Sequence, residues 1–277
     1  MAILILAEER SHLQRAPLYL GTSYQAENRG GNFTYSSGTF NHNNGTFSYY
    51  PAYTTVTADV PTSVTFNNLI IKGYKGIIDI PADDTLIVAG TLTYSPGYIS
   101  GVTTGTIEPQ GNVSATTDPA QKHSTATFSF TTDGDQTISG NGGIGKVVIN
   151  KSSGTVTATD NPKFRTFTLT NGTFVSTNET LTIGKNGYVN GDWTHTGGTF
   201  THNNGTVSLE AKQEGTSYID VPTTENFYNL ITSNSYNGHV SISSEDTLVA
   251  TGTLTLGRGS RGYVDTGTLE AQGNEMF

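Results

Sequence analysis

The chain repeats itself at a distance of 160 to 162 residues. GTFNHNNGTF (Gly38 to Phe47) returns as GTFTHNNGTV (Gly198 to Val207), and DVPT (Asp59 to Thr62) returns at Asp220 to Thr223. FNNLI (Phe66 to Ile70) returns as FYNLI (Phe227 to Ile231), and DTLIVAGTLT (Asp84 to Thr93) as DTLVATGTLT (Asp246 to Thr255). GTIEPQGN (Gly105 to Asn112) returns as GTLEAQGN (Gly267 to Asn274). Such repetition is the signature of a stacked array, in which each unit buries its apolar face only against its neighbours.

A weaker copy lies between these two. Thr127-Phe128-Ser129-Phe130 echoes Thr46-Phe47-Ser48-Tyr49, and Thr168-Leu169-Thr170 echoes Thr91-Leu92-Thr93. The reading is three units of about 80 residues, at 31–112, 113–190 and 191–277, the middle one divergent. Residues 1–30 resemble the tail of a further unit, a partial repeat or cap, because Leu18-Tyr19-Leu20-Gly21 is similar to Leu181-Thr182-Ile183-Gly184. Either a longer array or a subunit completed by its neighbours accounts for this pattern.

The local period is two. Val64-Thr65-Phe66, Ile78-Asp79-Ile80, Leu86-Ile87-Val88 and Leu254-Thr255-Leu256 alternate inward- and outward-facing positions in runs of about three to six, bracketed by Gly, Asn, Asp and Pro. Asn44-Gly45, Asn171-Gly172, Asn204-Gly205 and Asn237-Gly238 are turn dipeptides. Outside a short turn near Glu8 to Arg15, no segment has a helical period. The expected fold class is all-β, a right-handed β-helix-like solenoid of about 20 residues per coil. It would hold some 12 to 14 coils and form a rod of about 60 Å. A string of small β-sandwiches is the alternative.

Composition narrows the partners. Charged residues make up 13% of the chain, about half the usual share of roughly 25%. The net charge of −9 with 14 scattered basic residues speaks against nucleic acid and anionic membrane surfaces. There is no cysteine, hence no disulfide and no thiolate metal site. No run reaches the ~20 apolar residues of a membrane-inserted helix. Met1 to Ala7 is apolar but lacks the basic start of a secretory leader, so either that route is not used or the start lies upstream.

The strings GTFTHNNGTV, FYNLI, DTLVATGTLT, GTLEAQGN and the GDWT at Gly191 resemble the repeats of very large bacterial surface proteins of the filamentous-haemagglutinin or adhesin type. Similar Thr/Asn/Gly-rich repeats occur in phage virion proteins. The resemblance spans Gly31 to Asn274. It implies a non-enzymatic β-solenoid scaffold of an extracellular fibre, filament, stalk or adhesin at the cell surface, or alternatively a tail fibre or decoration protein on a virion surface. It supplies no catalytic residue. A β-helical polysaccharide-degrading enzyme is the remaining class, and it would need convergent carboxylates in a groove. The implied partners are copies of the chain or adjoining repeats stacked end to end, and a surface glycan or host receptor.

The candidate sites are few. Asp83-Asp84 and the equivalent Glu245-Asp246 could ligate Ca²⁺ from a turn, or else bond nearby backbone N–H groups. Asp133-Gly134-Asp135 is a third such place. No other cofactor is indicated. His195, His202 and His42 read as exposed turn residues, with a metal pair as the alternative. Tyr49, Tyr50, Tyr53 and Trp193 are candidates for contact with a glycan or a partner.

Overall fold

The computed structural model describes residues 2–6, 11–12, 18–20, 30–97, 99–117, 124–184, 189–234, 237–258 and 263–276. Among these residues there is no helix, and every strand pairing is parallel. The chain is a β-solenoid of about ten turns. The parallel ladders remove the sandwich alternative, whose sheets are built from antiparallel neighbours. The proposed turn over Glu8 to Arg15 lies outside the described residues, except for Ser11–His12, which is extended.

Each turn of the second copy contributes three short strands, whereas in the first copy Ile77–Val88 and Gly101–Pro109 each run through the corner between the first two columns. In the second copy the first column holds Trp193–His195, Thr216–Asp220, His239–Ile242 and Tyr263–Asp265. The second holds Thr199–Thr201, Thr224–Phe227, Thr247–Ala250 and Thr268–Ala271. The third holds Thr206–Ala211, Asn229–Asn234, Thr253–Arg258 and Asn274–Met276. Strict register puts like on like: Val207, Leu230 and Leu254 stack inward, as do Phe47, Leu69, Leu92 and Val113 in the first copy.

These stacked residues lie 21 to 24 apart, more than the 20 per coil that the sequence suggested, so the rod has fewer turns than 12 to 14. The middle coils are tighter. Phe128, Val147 and Phe167 stack at intervals of 19 and 20, and Val156 and Phe174 at 18. There the strands also run longer than expected. Gly143–Ala158 and Lys163–Val175 turn a corner without breaking, through register shifts near Asn150 and Thr155.

The shortening has a geometric consequence. Following hydrogen-bonded partners from Ile107 through Phe128, Val147 and Phe167 leads to Trp193. Ile107 belongs to the second column of the first copy, whereas Trp193 opens the first column of the second. The second copy is therefore turned by one face relative to the first. Thr127–Phe130 accordingly continues the column of Ile107 and not the column of its sequence echo, Thr46–Tyr49.

One continuous apolar core runs from Phe33 to Leu254. Aromatic rings pile up where each copy begins. In the first copy Phe47 lies 5.3 Å from Phe33 and 4.7 Å from Phe66. In the second, Phe167, Trp193 and Phe227 follow one another at 4.4 and 5.5 Å. Burial of aliphatic and aromatic side chains supplies the main driving force.

The repeated polar motifs serve the corners. Asn68 Oδ1 accepts the Thr91 N–H at 2.8 Å, and its counterpart Asn229 accepts the Thr253 N–H at 2.8 Å, each on the next coil. Asn32 and Asn112 do the same for Thr57 and Thr137. The second Asn of FNNLI and the Asn of FYNLI thus exist to cap the GTLT segment one turn later. Glycine is required beside it: a Cβ on Gly111 would sit 2.2 Å from the Gly90 oxygen, and one on Gly273 1.8 Å from that of Gly252.

Phe167→Ala should cost about 3–5 kcal/mol of stability. Thr168→Ala, one residue on and facing outward, should cost under about 0.5 kcal/mol. Chemical denaturation followed by circular dichroism distinguishes the two.

Candidate functional site

Aspartates recur at one corner, and their geometry explains the DVPT motif. Val60 and Thr62 close a tight turn in which the Thr62 N–H bonds the Val60 carbonyl at 2.9 Å. Thr223 and Val221 repeat it at 2.8 Å. Thr62 and Thr223 are held at φ of 125° and 74°, a region that costs a β-branched residue free energy. The carboxylate of Asp84, buried one coil later, accepts the Val60 N–H at 2.9 Å, and Asp246 accepts that of Val221 at 2.8 Å. The two aspartates anchor a strained turn. Asp83 and Glu245 beside them are exposed. No group of three or more His, Asp or Glu poised to share a metal ion occurs among the described residues.

Asp133 and Asp135 also work along the rod axis. Asp133 accepts a hydrogen bond from the Ser152 hydroxyl, and Asp135 accepts the Thr155 N–H at 2.9 Å. The Ser152 and Ser153 hydroxyls hold the Asp133 carboxyl below its usual range.

Lys151, which the sequence did not single out, is fully buried at this corner. Its ammonium donates to the Thr132 carbonyl and to Gln136 Oε1, the latter at 2.5 Å. Gln136 in turn donates through Nε2 to the carbonyls of Pro109 and Gly111 at 2.7 and 3.0 Å. Three successive coils are tied by one polar chain. Burial pushes the Lys151 pKa down, against the pull of Asp133 and then Asp135. A lysine in a polar run such as Asn150-Lys151-Ser152-Ser153 carries no sequence mark of its burial.

The histidines divide. His42 and His202 are turn residues, and each accepts through Nδ1 the backbone N–H two residues on, of Asn44 at 3.1 Å and Asn204 at 3.0 Å. His195 corrects the expectation of an exposed turn. It is 7% exposed, and its Nδ1 lies 2.5 Å from Oε2 of Glu225, itself 6% exposed. The strand alternation that points Trp193 inward points His195 inward too.

The aromatic contact candidates are corrected as well. Tyr49 and Trp193 are 0% exposed and belong to the core, so neither presents a face to a ligand. Tyr50 is half-buried. Tyr53 is 43% exposed at a corner, edge-to-face with Tyr74 at 5.4 Å, and the Lys75 ammonium lies 5.5 Å from both rings. Of the four residues, Tyr53 is the one placed for contact with a partner.

Among the described residues the buried Asp84, Lys151, Glu225 and Asp246 are each engaged by backbone or by another buried side chain, whereas the Tyr49 hydroxyl and the His195 Nε2 are buried without a hydrogen-bond partner. The chemistry of the rod is that of joining coils. No family model matches the chain, and no curated protein or solved structure matches it. No helix of the described residues is long and apolar enough to cross a membrane.

Two measurements check this account. Asp84→Ala and Asp246→Ala should each cost about 1.5–3 kcal/mol, the range for a hydrogen bond to a charged group, while added calcium leaves the wild-type Tm unchanged. Gln136→Leu, which strips a buried ammonium of an acceptor and two carbonyls of their donor, should cost about 2–3 kcal/mol by urea denaturation.

Proposed function

We propose that the chain is a non-enzymatic structural scaffold, a β-solenoid segment of an extracellular fibre, filament, stalk or adhesin. The observation that carries this reading is the single core from Phe33 to Leu254, crossed by side-chain hydrogen bonds from Asp84, Gln136, Lys151 and Asp246 that join one coil to the next. A rod of about ten turns at ~4.8 Å per turn extends about 50 Å. Parallel ladders run along its whole length, so pulling on the axis loads many backbone hydrogen bonds together. The outer surface is Thr, Asn, Ser and Gly, with few charges to be screened. The end-to-end partners are further coils of the same kind, and the exposed Tyr53–Tyr74–Lys75 corner is the surface offered to a glycan or receptor.

The one-face turn between the copies bears on display. Equivalent corners of the two copies point to different sides of the rod, which suits a spacer or fibre presenting contacts around its axis.

Electron microscopy of the purified protein should show rods, alone or joined end to end. The Tm should move by no more than about 2 °C between low and molar salt, as expected of a fold with few ion pairs. Compact particles, or turnover of any member of a panel of acidic and neutral polysaccharides, would overturn the scaffold reading. Immunogold labelling of cells against virions places the rod.

A further inference from the structure

The two copies of the repeat differ in one respect that alters the core. Tyr35 and Val64 of the first copy stand where the second has His195 and Glu225. The surrounding motifs, GNFTY against GDWTH and DVPTSVTF against DVPTTENF, are otherwise closely alike. In the first copy, Val64 is buried and the Tyr35 hydroxyl donates to the Gly38 carbonyl at 2.7 Å. In the second, the imidazole Nδ1 and the carboxylate meet at 2.5 Å inside the rod, on the strand that also buries Trp193, and the imidazole Nε2 is buried without a hydrogen-bond partner. Both partners have been exchanged together, as a buried charge demands: either alone would be left uncompensated.

The pair also spans a seam. His195 sits on the strand Trp193–His195 and Glu225 on Thr224–Phe227, one coil further. We propose that His195 and Glu225 form a proton-operated latch between these coils, so that the second copy of the repeat loosens as the surroundings turn alkaline while the first does not.

The electrostatic surroundings isolate the latch. On the coil below, Leu169 is the ladder partner of His195, and that strand carries Lys163 and Arg165, with Arg165 near Asp192. On the coil above, Asp220 is exposed, and the buried Asp246 carboxylate is engaged by the Val221 N–H. His202, after the strand of Phe200, faces the Tyr228 ring at 5.9 Å. Glu225 is thus the carboxylate in direct contact with His195.

The direction follows from linkage. The hydrogen bond to Glu225 raises the His195 pKa, burial opposes it, and the Glu225 charge and the Gly198 backbone add to the rise. A group whose folded-state pKa is raised stabilises fully below its unfolded pKa of about 6.5, and that contribution is lost as pH rises through the folded value. Each unit of elevation corresponds to about tenfold in the local opening equilibrium.

Hydrogen exchange followed by mass spectrometry on the full chain, with rates divided by the unstructured-chain rate at each pH, tests this. As pH rises from about 6.5, the ordinary imidazole value, through the raised folded-state value of His195, protection of peptides covering Trp193 to Phe227 should fall. Peptides covering Phe33 to Phe66 serve as the control and should hold. The double variant His195→Tyr with Glu225→Val writes the first copy's pair into the second and should abolish the difference. Glu225→Gln, which keeps an acceptor but not the charge, should abolish most of it. Equal pH dependence in both copies, or its survival in the double variant, overturns the proposal. If the double variant does not fold, the wild-type copies still compare with one another, and an NMR titration placing His195 at or below the ordinary imidazole pKa sinks the latch.

Discussion

Outside its tight turns, the backbone of this rod must find its hydrogen-bond acceptors on neighbouring coils, because the described residues form no helix in which to close those bonds locally. Along the flat faces the parallel ladder meets that demand. At the corners, where the chain bends out of register, it does not, and side chains take over. Asn32, Asn68, Asn112 and Asn229 reach one coil onward, and Asp84 and Asp246 one coil back. The abundance of Asn, Asp and Gly is therefore a structural requirement of stacking.

The same demand explains why polar groups are tolerated inside. The interior is apolar over most of its length. Two exceptions sit where coil geometry changes: Lys151 and Gln136 in the tight middle turns, and His195 with Glu225 where the second copy begins. Each is a hydrogen-bonded set that bridges successive coils. A buried polar set of this kind fixes register more sharply than aliphatic packing, because a slip of one residue would leave its members unpartnered. Tyr94 shows the milder form. It is held in the core with its hydroxyl 2.8 Å from Ser124 Oγ, and burial drives its pKa up to about 12.

Between the copies, the 18- to 20-residue coils change the phase of the rod. Near-identical sequence on either side yields near-identical local structure, yet the two halves present it on different faces. The phase between the two copies is set by the divergent middle.

The repeat at 160 to 162 residues and the period of two were enough to determine an all-β stacked array, because alternation fixes which side chains point inward and repetition fixes what they meet. They were also enough to place the turns at Asn44-Gly45 and Asn204-Gly205, where positive φ needs such residues. Coil length escaped, since the residues that make a corner look the same whether they add two residues or four. Burial of Lys151, His195, Tyr49 and Trp193 escaped for a related reason. Near a corner, a single register shift decides which face a side chain joins, and only the neighbouring coil, distant in sequence, says where that shift falls.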